Sequence, residues 1–196
     1  GARLISSATG KMIAVELRGE GNVLHYSATV KMAEHATLPP QAGAQPALEK
    51  WTQEKVYDGH VLFHGPSFQV IDSIKGISRE GIVGMLSGVV SGTRIGKWPK
   101  EAWCSDAAAL DGGLQLALLW SQKVLGGAVL PMAMGEYRSY RDGLINGVVK
   151  CVVHAKKILD GRTVCDITFS DASGQFAELI GVETVLRPGG AKTAHA

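Results

Sequence analysis

The sequence predicts an α+β fold in which a curved antiparallel sheet wraps around one long buried helix. Three observations predict it. One helical segment, apolar on nearly every side, runs from about residue 105 to residue 123. Several strand-like segments accompany it, and turn dipeptides such as Asp142-Gly143 and Asp160-Gly161 separate them. The 25 glycines exceed the usual share of about 7%, as short strands joined by tight turns require.

The helix has clear signals at both ends. Ser105 or Asp106 can cap its N-terminus, and Gly126-Gly127 ends it. Its apolar residues recur at helical spacing: Ala107, Leu110, Leu114, Ala117, Leu118 and Trp120. Because the apolar surface is so wide, we expect the helix to be buried in the domain.

The strand-like segments fall into two groups on either side of a proline-rich stretch. Residues 12–17 and 23–30 flank a Gly/Asn turn and predict a β-hairpin arm. Residues 36–47 are rich in proline, which cannot donate to a central β-ladder, and so predict a linker. Further strands are predicted at 68–77, 81–90, 135–140, 148–159, 163–170 and 175–186. The main domain is therefore placed at residues 48–188, and residues 189–196 are expected to be a disordered tail.

The composition excludes several classes of protein. Of 196 residues, 45% are hydrophobic and 19% are charged, which is too apolar for a disordered chain. The net charge of +2 argues against nucleic acid as a partner. No apolar run approaches the roughly 18–20 residues that cross a bilayer, so no membrane partner is expected.

The chain begins at Gly1 without Met, and we expect it to be part of a longer polypeptide.

The cysteines indicate a reducing compartment. Cys104, Cys151 and Cys165 are odd in number and show no CxxC spacing, so neither a disulfide framework nor a metal site is expected. Buried free thiols in the cytoplasm are the simpler interpretation.

The first candidate for chemistry is the segment Asp111-Gly-Gly-Leu-Gln115 within the helix. Asp111 and Gln115 stand at i and i+4 and therefore share a helix face. A carboxyl group buried there would tend toward a raised pKa, as a proton donor near neutral pH needs. Alternatively, Asp111 caps a neighbouring turn and the two glycines only permit close strand packing.

The second candidate is the segment Phe63-His64-Gly65-Pro66-Ser-Phe68. Proline fixes its own φ and restricts the residue before it, so Gly-Pro would hold Phe63, His64 and Phe68 in place. His64 is able to titrate near neutral pH. A lone histidine is also commonly a structural or lining residue, and both interpretations stay open.

Together these segments resemble motifs of polyketide synthase dehydratase domains. The stretch from Leu62 to Phe68 is similar to the aromatic-Gly-Pro-x-Phe motif of their C-terminal half. The stretch from Asp106 to Gln115 is similar to their Asp-x-x-x-Gln/His motif, and Leu130-Pro131 matches the Leu-Pro that follows. Residues 103–131 particularly resemble the synthases of polyunsaturated fatty acids.

The resemblance implies a hot-dog fold and a dehydratase acting on a β-hydroxyacyl thioester. The substrate would be carried on the phosphopantetheine arm of an acyl carrier protein, with no further cofactor. Asp111 would be the acid and Gln115 would orient it or bind the hydroxyl group. Phe63, His64, Gly65, Pro66, Phe68 and Pro131 would line the acyl tunnel, His64 standing where many relatives have Tyr. Other synthase domains would be partners, and a homodimer is one way to cover exposed sheet edges.

The resemblance also implies a catalytic base that this sequence does not match. Relatives take it from a His-x-x-x-Gly-x-x-x-x-Pro motif in a first hot dog. His35 precedes Ala-Thr-Leu-Pro39 without the glycine, and none of the six histidines fits. Residues 1–35 instead resemble the closing strands of that first hot dog, so the chain alone is expected to be inactive. The alternative is a non-catalytic hot-dog module that binds the acyl chain or organises the synthase.

Overall fold

The computed structural model describes residues 2–6, 12–31, 38–40, 43–52, 55–57, 61–87, 104–145 and 147–187. The chain divides into two compact units, Gly1–Thr37 and Leu38–Ala196. The predicted tail at 189–196 lies outside the described residues. The predicted domain boundaries and the assignment of the first unit to another hot dog stay predictions.

The described residues of the first unit form a three-stranded antiparallel sheet. Its strands are β1 (Ala2–Ser6), β2 (Met12–Arg18) and β3 (Leu24–Lys31), in the order β1-β2-β3. The turn between β2 and β3 contains Gly21 and Asn22, both with positive φ, a conformation that glycine and asparagine adopt most readily. The predicted hairpin is confirmed, and β1 adds a strand that the sequence pattern did not predict.

The second unit contains one helix and a seven-stranded antiparallel sheet among its described residues. The elements are β4 (Ile71–Ser78), β5 (Gly81–Ser87), α1 (Ala107–Leu125), β6 (Val129–Ala133), β7 (Glu136–Ser139), β8 (Val148–Leu159), β9 (Arg162–Asp171) and β10 (Gly174–Leu186). The sheet order is β4-β5-β8-β9-β10-β6, and β7 also pairs with β10. Register shifts interrupt β4, β8 and β10, and such bulges increase the twist and bend of a sheet.

Helix α1 begins and ends as the sequence predicts. The Asp106 carboxylate accepts the Ala109 amide, and Gly126 closes the C-terminus with φ of 72°. The helix packs on β5, β8 and β9. Trp120 and Leu116 from the helix are fully buried with Phe169 and Ile167 from β9. The predicted arrangement of one buried helix against an antiparallel sheet is therefore confirmed.

One predicted strand starts later than expected. The sequence pattern placed its beginning at Phe68, whereas β4 begins at Ile71. Residues Pro66–Phe68 form a 3₁₀ turn instead, with Pro66 in its first turn. Proline supplies the φ that such a turn needs, and this outweighs the β-rich residues that follow.

Candidate active site

The site forms where the Pro66–Phe68 turn meets the second turn of α1. The Phe68 amide donates to the Gly65 carbonyl at 2.9 Å, which closes the turn. The Gln69 side chain donates to the His64 carbonyl at 3.0 Å and fixes the preceding backbone. The Gly-Pro segment is thus held rigidly beside the helix, as the sequence predicts.

Gln115 is the fully buried centre of the site. Its Nε2 donates to the Phe68 carbonyl at 2.8 Å and to Asp111 Oδ2 at 2.6 Å. The first bond joins the helix to the turn. The second bond crosses one helical turn and fixes the carboxylate, as the i, i+4 spacing predicts.

Asp111 has a second polar neighbour in His64. Nε2 of the imidazole lies 3.5 Å from Asp111 Oδ2, which is an ion-pair distance. The Phe63 ring stacks on the imidazole at 5.3 Å between centroids and 11° between planes. His64 Nδ1 is buried and has no hydrogen-bond partner among the described residues. Nε2 at the edge of the imidazole therefore contacts Asp111, and the Phe63 ring covers one face of the imidazole.

Tyr57 completes the network, and sequence reasoning missed it. Its hydroxyl accepts the Ile71 amide at 2.9 Å and donates to Gln115 Oε1 at 2.8 Å. Burial raises the pKa of the Tyr57 phenol, and the carboxylates of Asp111 and Asp72 raise it further. The hydroxyl therefore keeps its proton at neutral pH.

The predicted site residues divide into two groups. The network joins Asp111, Gln115, His64 and the Phe68 carbonyl, with Phe63 stacked at its margin. Pro131 lies outside this network, in edge strand β6, where it is exposed and pairs with Thr184. Proline fits an edge strand because it has no N–H to donate to a neighbour.

The expected burial of Asp111 is only partly observed. Its side chain is 30% exposed, whereas that of His64 is 17% exposed. The carboxylate faces the turn at the margin of the core, so one edge of it reaches solvent. Its position is fixed by hydrogen bonding to Gln115 rather than by deep burial.

A shallow groove elsewhere in the second unit has a volume of about 740 Å³. Residues 44–46, 79–80 and 154–158 line it. None of the predicted site residues is among them.

Within the described residues, no group of three or more His, Cys, Asp or Glu could hold a metal ion. Nor does the described part of the chain contain a helix both long and apolar enough to cross a membrane.

Comparison with known proteins bears on both sequence and fold. No family model matches the chain. It is 29% identical over 120 residues to a polyunsaturated fatty acid synthase polypeptide of Thraustochytrium sp., covering 59% of this chain and 4% of that protein. The chain therefore spans only a small part of the curated relative that it matches.

Solved dehydratase domains share the fold. The domain of PpsC from Mycobacterium tuberculosis, solved in complex with C12:1-CoA, is 19% identical with a TM-score of 0.67, covering 95% of this chain and 67% of that chain. The domain from the CurJ module of curacin polyketide synthase is 16% identical with a TM-score of 0.65, covering 96% and 67%. The chain has the hot-dog fold of these dehydratase domains. The resemblance predicted from the motifs is thereby confirmed by a curated relative and by solved structures.

Proposed function

We propose that the chain is part of a dehydratase domain of a polyketide or polyunsaturated fatty acid synthase. It would remove water from a β-hydroxyacyl thioester carried by an acyl carrier protein and yield the enoyl thioester. The observation that carries this proposal is the Asp111–Gln115 pair, held beside the Gly-Pro turn by two hydrogen bonds from Gln115. The resemblance to dehydratase domains, with the shared fold, supplies the reaction class.

Asp111 is the general acid in this mechanism. A base removes the α-proton, the electron pair of that C–H bond forms the Cα=Cβ bond, and the Cβ–O bond breaks. The protonated Asp111 carboxyl gives its proton to the departing hydroxyl, which leaves as water. Gln115 holds Asp111 at a fixed angle, and such positioning is a general source of catalytic rate.

In this mechanism the base is a histidine of a first hot dog, where dehydratase relatives carry their histidine motif. His64 fits a different task. Its Nε2 faces Asp111, and its Nδ1 is buried without a hydrogen-bond partner among the described residues. We assign His64 to holding Asp111 and lining the site.

The surroundings suit an acyl chain and a carrier-bound substrate. Phe63 is 75% exposed and Phe68 is 40% exposed beside the acid, and exposed aromatic rings suit contact with an apolar chain. The carrier protein and the other synthase domains are the proposed partners, with a homodimer as a further contact.

Cys151 and Cys165 are free buried thiols, which fits a cytoplasmic protein.

The test is dehydration by the polypeptide as the cell makes it. We expect β-hydroxyacyl carrier protein to be converted to the enoyl form, and Asp111→Asn to slow this by about 100-fold or more, the usual worth of a general acid. Asp160→Asn is the matched control, because this exposed carboxylate lies in the turn between β8 and β9. It should leave the rate unchanged.

Two results would separate the proposal from its alternatives. Equal enoyl product from the wild type and Asp111→Asn would remove Asp111 from the mechanism. Acyl binding without any enoyl product from the wild type would favour a non-catalytic acyl-binding module. Mass spectrometry of the carrier-bound product measures both.

A further inference from the structure

The Tyr57 hydroxyl lies at the far side of Gln115 from the acid. It belongs to neither motif that marks the site in the sequence, and 58 positions separate it from Gln115. Its two hydrogen bonds, to the Ile71 amide and to Gln115 Oε1, are both of ordinary length. The phenol therefore connects the beginning of β4 to the buried amide.

Two backbone groups fix the donor and acceptor roles in this network, because each of them can take only one role. The Ile71 N–H can only donate, so the Tyr57 oxygen accepts there, and the hydroxyl keeps one proton to donate to Gln115 Oε1. The Phe68 carbonyl can only accept, so it requires Gln115 Nε2. The Phe68 carbonyl needs a donor and the Tyr57 proton needs an acceptor, so both favour the same orientation of the Gln115 amide.

This orientation decides which oxygen of Asp111 carries the acid proton. Gln115 presents an N–H to Oδ2 at 2.6 Å, and the His64 edge faces the same oxygen. An oxygen that accepts an N–H is a poor place for a proton of its own. Among the described residues no hydrogen bond to Oδ1 is present, so Oδ1 is free to hold the proton and release it.

We propose that Tyr57 is a positioning residue that locks the Gln115 amide and thereby places the acid proton of Asp111 on Oδ1. The inference rests on the proposed function, because it concerns Asp111 as an acid. Without the Tyr57 hydroxyl, Gln115 Oε1 would be buried with no donor. Only the Phe68 carbonyl would then select the orientation of the amide. Each excursion to the rotated amide would turn an oxygen toward Asp111, and two oxygens would face each other unless Oδ2 took the proton.

The first measurement is independent of catalysis. Gln115 side-chain Nε2 protons are observed by NMR in selectively ¹⁵N-glutamine-labelled chain, and Gln115→Asn identifies them by their loss. In Tyr57→Phe we expect their exchange with water to accelerate by roughly threefold to tenfold, the usual effect of losing one hydrogen bond. Tyr140→Phe is the matched control, because that partly buried hydroxyl bonds Glu178, away from this network. Unchanged exchange in Tyr57→Phe would overturn the inference.

The second measurement is the dehydration assay. We expect Tyr57→Phe to lower kcat by roughly tenfold with little change in KM, since the hydroxyl acts on the acid and not on the acyl chain. A raised KM with unchanged kcat would overturn the positioning role. If Tyr57→Phe accelerates exchange but the wild type forms no enoyl product, the hydrogen-bond network stands and the proposed function fails.

A double variant tests whether Tyr57 acts through Gln115 or lowers kcat by a separate effect such as a general loss of folding. Gln115→Glu replaces the N–H donor by an oxygen and keeps the side-chain length. If Tyr57 acts through Gln115, adding Tyr57→Phe to Gln115→Glu should reduce kcat little further. Fully additive losses would show that Tyr57 acts by another route and would overturn the inference.

Discussion

Two consecutive glycines let α1 approach the sheet. A Cβ on Gly112 would lie 2.7 Å from Val70 Cγ2, and one on Gly113 would lie 2.4 Å from Phe169 Cζ. Both distances are shorter than van der Waals contact. The glycines cost helix propensity, about 1 kcal/mol each relative to alanine, and the close contact with the sheet offsets that cost. Of the roles that the sequence left open, close packing is the one that the structure confirms for them.

Gly113→Ala should therefore destabilise the protein in spite of alanine's better helix propensity. The added methyl group meets the fully buried Phe169 ring and Ile167 Cγ2, and overpacking of a core costs about 1–3 kcal/mol. Subtracting the propensity gain of about 1 kcal/mol leaves a net loss of up to about 2 kcal/mol. Urea unfolding measures it. Gly43→Ala, with open space around its Cβ, is the control, and an equal or higher stability for Gly113→Ala would contradict the argument.

The residues of the site differ in how far the sequence could predict them. Asp111 and Gln115 were predictable because one helix sets their spacing, and His64 because it adjoins Gly-Pro. Tyr57 was not, because its partners Gln115 and Ile71 become neighbours only when the loop before the turn folds onto the helix. The exposed fraction of Asp111 also depends on that tertiary contact, which no local pattern encodes.

The elements were predictable where they are long and regular. Helix α1 and strands β8 to β10 agree with their predicted positions within a few residues. Strand β6 was missed because it is short and contains Pro131, which normally argues against a strand. Only its place at the edge of the sheet, against β10, makes proline acceptable. That place is a property of the whole sheet.

The start of α1 depends on one buried carboxylate. Asp106 is 2% exposed. It accepts the Ala109 amide at 3.0 Å as a helix cap and the Ile145 amide at 3.2 Å from the loop before β8. One side chain therefore satisfies a helix N-terminus and a distant backbone group.

Asp106→Ala should cost about 2–4 kcal/mol of unfolding free energy. Losing the cap accounts for about 1 kcal/mol, and leaving the buried Ile145 N–H unpaired accounts for about 1–3 kcal/mol. Asp106→Asn keeps an oxygen for Ala109 and should lose less. Chemical denaturation of both variants, with the exposed Asp142→Ala as reference, measures this. A loss no larger than that of Asp142→Ala would show that the cap is dispensable.

At the scale of the whole domain, a buried hydroxyl chain joins the helix to two strands. Ser121 Oγ, Thr163 Oγ1 and Thr184 Oγ1 are linked by two contacts of 2.8 Å, and all three residues are fully buried. Thr163 and Thr184 are cross-strand partners in β9 and β10. Ser121 lies near the opposite end of α1 from Gly113. Apolar packing fixes the helix to the sheet along its length, at Gly113 and Trp120 for example, and this hydroxyl chain adds hydrogen bonds near its C-terminal end.

Thr163→Val tests how much this polar link contributes to the stability of the domain. Valine has nearly the same shape but leaves the Ser121 and Thr184 hydroxyls without their shared partner, so we expect a loss of about 1–3 kcal/mol. Thr163→Ser keeps the hydroxyl and removes one methyl group, for which we expect about 1 kcal/mol. Unfolding midpoints of the two variants decide between hydrogen bonding and packing. If serine costs as much as valine or more, the methyl group and not the hydroxyl chain holds α1 to the sheet at this end.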